Sequence, residues 1–329
     1  MPDRVDHLLR SIDLTTQRGL ELGPLANPVV RREHGGIEYL DHLDTDALRE
    51  RYGSHDGFDV DAIVPIDHVI AVDGDRSIRA SVGPDASFDY VIASHVIEHV
   101  PDLVGWLIDI RSVMRDDGLV SLAVPDHRRC FDALRQPTVA GQVVDAHLRR
   151  ATAPSPGQTF DHFASAVAWR GLIAWGEEPP FEEMVAIHSQ EEALDLARAS
   201  LDAGGQTDVH CWVFTPRSFC RVMTTLHRLG LVPFTVESCT DSVYGEFFAQ
   251  LRVWNGPGLS GSPAPVMGHG SPQASETAVV RGELAQARAE LAAVTGQLDA
   301  TLGTRSWQVT RPLRSLNGLV AATRRHHPR

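Results

Sequence analysis

The chain has 329 residues, 43% of them hydrophobic and 22% charged, which excludes a disordered chain and leaves room for one large domain or two smaller ones. A formal net charge of −13 argues against a nucleic-acid partner, because phosphate binding needs clustered Lys and Arg. The four cysteines, Cys130, Cys211, Cys220 and Cys239, show no C-x-x-C spacing and read as thiols of a reducing compartment. The first residues are polar, without the apolar stretch of a secretory signal, and no window has the roughly eighteen consecutive apolar residues of a membrane span, so a cytoplasmic protein is expected.

In chain order, residues 1–254 alternate apolar strands with helical patterns, the signature of a doubly wound, mostly parallel α/β sheet. Strands are expected at 19–22, 36–40, 68–72, 88–93 and 119–124. A helix is expected from Pro101 to Met114, with Pro101 at its first position and Gly118 past its end. From about residue 130 to 208 the pattern turns mostly helical and carries Trp169 and Trp175, as in an insertion that covers a substrate. A helix at 215–229 and strands at 233–238 and 245–253 complete the body. Residues 255–275, rich in Gly, Pro and Ser, read as a linker. Beyond them, Val280, Leu284, Ala287, Leu291, Val294 and Leu298 follow a heptad seam, giving a short coiled-coil helix over 276–303 through which the chain would self-associate. No acid follows Asp299, and Arg311, Arg314, Arg324 and Arg325 alternate with Leu313, Leu316, Leu319 and Val320. That basic tail, 304–329, fits a peripheral membrane surface or a protein partner, with a solvated tail as the plain alternative.

Candidate chemistry gathers at the strand ends. Glu21 and Gly23 close the first strand, Asp41 the second and Asp73-Gly74 the third. Acids at these offsets suit the hydroxyl and amino groups of a nucleoside in the crevice where open α/β sheets bind ligands. Pro24 and Ala26 stand where a dinucleotide fold has glycines, and Pro24 has no N–H to offer a pyrophosphate, which disfavours a nicotinamide-dependent oxidoreductase. The run FDYVIASHVIEHVPD, 88–102, is a buried strand whose end presents Ser94, His95, Glu98 and His99.

In this order and spacing, GLELGP, Asp41, Asp73-Gly74, FDYVIASHVIEHVPD and VMRDDGLVSLAVPD resemble a class I S-adenosylmethionine-dependent methyltransferase over about residues 17–126. The resemblance implies a seven-stranded Rossmann-like sheet and S-adenosylmethionine as cofactor. It places Glu21 and Gly23 in the cofactor loop, Asp41 on the ribose, Asp73 and Gly74 near adenine, and Ser94 and His95 along the methionine side. PDHRRCFDALRQPT, DVHCWVFTP and SWQVTRPLRSL are similar to a bacterial subgroup associated with cell-surface polysaccharide synthesis, which implies O-methylation of a sugar or glycan precursor. A non-catalytic adaptor of the same fold, organising a glycan-assembly complex, is the alternative.

Proton removal from a hydroxyl acceptor suits a histidine, and His95, His127 and His210 are the candidates, each with a structural histidine as its alternative. Arg128, Arg129 and Arg135 could meet an anionic acceptor. His95-Val96-Ile97-Glu98-His99 also matches the inverted zinc-protease motif. Pro101 prevents a long helix through His99, and no third ligand stands at a helix-compatible spacing, so no metal is expected. Glu98 and His99 then read as helix-start and turn residues, with a divalent ion on them as the minority reading.

Overall fold

The computed structural model describes residues 3–53, 59–71, 75–202 and 207–256. The linker, the heptad segment and the basic tail lie outside these from residue 257 onward, as do Asp73 and Gly74. The chain divides into a body, 1–51 with 60–259, and a second unit, 52–59 with 260–329, of which only Tyr52, Gly53 and Asp59 are described.

In chain order the elements are α1 (Arg4–Leu8), β1 (Arg18–Leu22), β2 (Gly36–Asp41), α2 (Thr45–Tyr52), β3 (His68–Val69), α3 (Ile78–Val82), β4 (Phe88–Ser94), α4 (Leu103–Ser112) and β5 (Met114–Pro125). After them come α5 (Ala140–Leu148), α6 (Pro156–Ala164), β6 (Val167–Trp169), β7 (Met184–Ala186), α7 (Gln190–Asp202), α8 (Pro216–Arg228), β8 (Phe234–Cys239) and β9 (Glu246–Val253). Seven strands form one sheet in the order β3-β2-β1-β4-β5-β9-β8, parallel except for β9, which runs antiparallel to both of its neighbours. The chain winds outward from β1 through β2 to β3 and then returns to β4 on the other side of β1. The β1–β4 boundary is therefore the topological switch point, where such sheets bind ligands.

Both faces of the central strands are covered, so they read as continuous apolar runs. Along β4, Val91 and Ala93 enter the core cluster shared with α4 and α8, while Tyr90 and Ile92 enter the cluster on the opposite face. β5 alternates likewise: Val120, Leu122 and Val124 face the first cluster, Leu119 and Ala123 the second. Ser121, on the second face, donates its hydroxyl to the Leu8 carbonyl at 2.6 Å and helps dock α1. The Tyr90 ring packs over Gly19 so closely that a Cβ there would lie 2.0 Å from Cε2, which explains a glycine inside β1.

Three sequence expectations need correction. α4 begins at Leu103, not Pro101: the Asp102 carboxylate caps it by accepting from the Gly105 N–H at 2.8 Å, and Pro101 precedes the cap. β5 starts at Met114, not at 119, so Gly118, past the end of α4 as expected, already lies within the strand. The insertion is not uniformly helical, since β6 and β7 form an antiparallel pair around which Trp169 and Trp175 pack edge to face, with ring centroids 6.3 Å apart. α8 follows its pattern, with Thr215 and Ser218 forming a capping box, Pro216 opening the helix, and Phe219, Val222, Met223 and Leu226 buried. No helix among the described residues is long and apolar enough to cross a membrane.

Candidate active site

The carboxyl ends of β2, β1 and β4 lie side by side, with Leu22 paired to Leu40 on one flank and to Ala93 on the other. Gly23 follows β1 with φ 65, left-handed backbone that a side chain would strain, and its N–H donates to the Leu40 carbonyl at 2.9 Å. The loop beyond it is held by Glu21. This carboxylate, 2% exposed, accepts from the Val29 and Val30 N–H groups at 2.7 and 3.2 Å. Burial raises its pKa to about 7 against those two bonds. Glu21 therefore braces the loop that follows β1. Asp41 ends β2 at 3% exposure, and its Oδ1 accepts from the His42 N–H at 2.7 Å.

β4 ends in Ser94, whose hydroxyl accepts from the Arg4 guanidinium, and then turns through His95 at φ 53. This left-handed turn aims the His95 ring across to β9, where Nε2 meets Glu246 Oε2 at 2.8 Å, while Nδ1 lies 3.4 Å from Glu98 Oε1. Burial alone would lower the His95 pKa, but the two carboxylates outweigh it and raise the pKa to about 9. Two carboxylates so placed favour the charged ring, which argues against His95 as the base. Arg4 also pairs with Glu246 at 2.7 Å, so α1 is tied to this corner. That contact between distant residues leaves no local trace in the sequence.

A second group lies under the insertion. A 3₁₀ turn, Ile97–His99, follows β4 and confirms the helix break that Pro101 imposes. Glu98 is fully buried, and its carbonyl accepts from the Cys211 and Trp212 N–H groups at 2.6 and 3.2 Å. His210 is brought in by that pairing. Its Nδ1 meets Asp132 Oδ2 at 2.5 Å, its N–H donates to His162 Nδ1 at 3.0 Å, and its carbonyl accepts from Arg135 at 2.8 Å. Asp132 also pairs with Arg135 at 2.9 Å; burial would raise its pKa, but His210 and Arg135 hold it well below the usual carboxylate range. Arg135 is thus committed inside the fold, and Arg128 is committed to Asp126 at 2.6 Å.

His127 opens a second 3₁₀ turn, His127–Arg129, directly after β5. Its Nδ1 lies 3.4 Å from the Asp132 carbonyl, and burial lowers its pKa, keeping the ring neutral. The structure so separates the three histidines: His95 stands between two carboxylates, His210 is locked to one, and burial favours the neutral form of His127. Asp132 and His162 were not among the sequence candidates; the run CFDALR, holding a lone acid between apolar residues, was the available signal.

A family model described as a methyltransferase domain matches residues 35–231, well over half of the chain, beginning past the Gly23 loop. No curated protein matches the chain significantly. Among solved structures, an S-adenosylmethionine-dependent methyltransferase from Mesorhizobium loti is 12% identical with a TM-score of 0.37, over 74% of this chain and 95% of that one. A 1,6-didemethyltoxoflavin N1-methyltransferase from Burkholderia thailandensis, solved with its namesake ligand and S-adenosylhomocysteine, is 12% identical with a TM-score of 0.35, over 76% of each chain. Structural likenesses at these scores add no weight; the family match is decisive, and the chain belongs to the methyltransferase-domain family.

Proposed function

We propose that the protein transfers a methyl group from S-adenosylmethionine to a hydroxyl of a sugar or glycan precursor used in cell-surface polysaccharide synthesis. The methyl donor is S-adenosylmethionine. One observation carries the assignment: left-handed Gly23 and buried Asp41 stand at adjacent strand ends beside the β1–β4 switch point. These residues fit the cofactor, because a glycine without Cβ admits a ligand against the backbone and a strand-end carboxylate suits two vicinal ribose hydroxyls. Pro24 gives no N–H, a loss that a nucleoside without phosphates tolerates.

When bound, S-adenosylmethionine supplies a sulfonium methyl group already activated for in-line transfer. The protein then has to place the acceptor oxygen and take up its proton. His127 serves as that base, since it is neutral and lies just past β5. His95 holds the strand end against Glu246, and His210 orients the insertion through Asp132. A polar acceptor is supported by a cleft of about 390 Å³ on the insertion, lined by Gln136, Gln142, Arg149, Gln158 and Asp161 among others. Planar amides, acids and guanidinium groups of this kind pair with sugar hydroxyls. Residues 276–303 and 304–329 would supply self-association and the contact with a membrane surface or a glycan-assembly partner.

The test is mass spectrometry after incubation with S-adenosylmethionine and a set of nucleotide-linked sugars. A product gaining one methyl group on oxygen is the expected result. Methylation confined to nitrogen or carbon acceptors would overturn the O-methyl assignment.

A further inference from the structure

We infer that Glu98, His99 and His210 form a binding site for one divalent transition metal of the zinc class. Their ligating atoms all lie within 4.8 Å of one another, and Glu98 Oε1 is 3.9 Å from His99 Nε2. Around a tetrahedral zinc with bonds of about 2.0–2.1 Å, ligating atoms stand roughly 3.4 Å apart, so side-chain rotations of about an ångström close the site.

Two independent observations point to a cation. The first is the Glu98 carboxylate, which is fully buried with neither oxygen in a well-formed hydrogen bond; its nearest cationic neighbour, the His95 ring, stands 3.4 Å from Oε1 and is shared with Glu246. Carboxylates taken out of water are paired through hydrogen bonds or bind metals, since desolvation costs several kcal/mol otherwise. The second is the orientation of the two histidines. His99 Nδ1 meets Asp208 at 2.7 Å, and His210 Nδ1 meets Asp132 at 2.5 Å. A carboxylate on one ring nitrogen fixes the tautomer that directs the other toward a metal and raises its basicity, the arrangement found behind most metal-bound histidines. Both rings carry that support.

The donor set selects the metal class. Two imidazoles and one carboxylate suit zinc or ferrous iron with at least one coordination position left for water or an acceptor oxygen, whereas magnesium and calcium prefer all-oxygen sites. This arrangement is unrelated to the inverted zinc-protease motif, because His95 turns away to Glu246 and the third ligand comes from the segment after α7. A metal here would tie that segment to the turn after β4, adding to the bonds that Cys211 and Trp212 already make to the Glu98 carbonyl.

The experiment measures metal on the full chain, independently of any transfer activity. After chelator treatment and its removal, the protein is titrated separately with Zn²⁺, Co²⁺, Fe²⁺, Mn²⁺ and Mg²⁺ in competition with a chromophoric chelator, while circular dichroism monitors the fold. The expected result is one Zn²⁺ per chain, with Mg²⁺ bound far more weakly and Co²⁺ giving the visible absorption of a low-symmetry site. His99→Ala and His210→Ala should each weaken Zn²⁺ at least about 100-fold, and Asp132→Asn roughly 10- to 100-fold. Should a variant at the buried positions fail to fold, His99→Ala, whose ring is 13% exposed, carries the test. A folded wild-type chain that binds none of the transition metals, that prefers Mg²⁺, or whose Zn²⁺ affinity survives His99→Ala would overturn the site.

Discussion

The two halves of the site are built on opposite plans. On the β1–β2 side, Glu21, Gly23 and Asp41 come from one stretch of chain and sit where consecutive strands end. On the insertion side, Glu98 and His99, Asp132, and Asp208 and His210 come from three distant segments, with Asp132 and His210 78 positions apart. The first half is a consequence of topology: any sheet wound in this order brings those strand ends together. The second exists only once α5, α6 and α7 have folded over the sheet. A donor common to a family calls for the first kind of construction, and an acceptor particular to one chain calls for the second.

Variants that act on one half and spare the other sharpen this contrast. The largest effect is expected from His127→Ala, which should lower kcat by roughly 10²- to 10⁴-fold while S-adenosylmethionine affinity stays within a few-fold. Its pH profile adds a check. Burial lowers the His127 pKa, so the acidic limb of the wild-type rate should fall below the ordinary histidine value of about 6.5. A limb well above that value would implicate another base.

Glu21 gives the next effect, on stability. Its folded pKa, about 7, lies above the ordinary glutamate value of about 4.5, so the folded state holds the extra proton between those values. The associated stability is complete below about pH 4.5 and is lost as pH rises through 7, amounting to about 3 kcal/mol over the full range. Thermal unfolding of Glu21→Gln should show a flatter pH dependence between pH 5 and 8, although the variant loses one loop bond. Equal slopes for the two proteins would refute a protonated Glu21. The smallest effect should follow Arg4→Ala. The guanidinium is a third exposed, so its pair with Glu246 is worth only about 1 kcal/mol, seen as a drop in Tm of a few degrees.

The mostly parallel sheet and the acids Glu21 and Asp41 at its strand ends were legible because they rest on short-range pattern: apolar runs, a turn glycine, an acid closing a strand. β4 was readable for the same reason, with Tyr90 through Ala93 apolar on both faces. The histidines were not separable by sequence. The charged form of His95 is favoured because Glu246 lies across from it, 151 positions later, and the neutral form of His127 because it is buried without a carboxylate on its ring. Nor was the third partner of Glu98 and His99 legible, since His210 reaches them through backbone pairing of Cys211 and Trp212 with the Glu98 carbonyl. Pro101 ruled out one helical geometry, and it could say nothing about a ligand arriving from another segment.

Calorimetric titration with S-adenosylmethionine, with NAD as the control, tests the central claim most directly. One molecule should bind per chain, NAD should not bind, and Asp41→Ala should weaken the affinity roughly 30- to 100-fold through the loss of charge-assisted hydrogen bonds to the ribose. Absence of S-adenosylmethionine binding by the folded wild-type chain, or an affinity unchanged in Asp41→Ala, would contradict the account and favour a non-catalytic adaptor of the same fold.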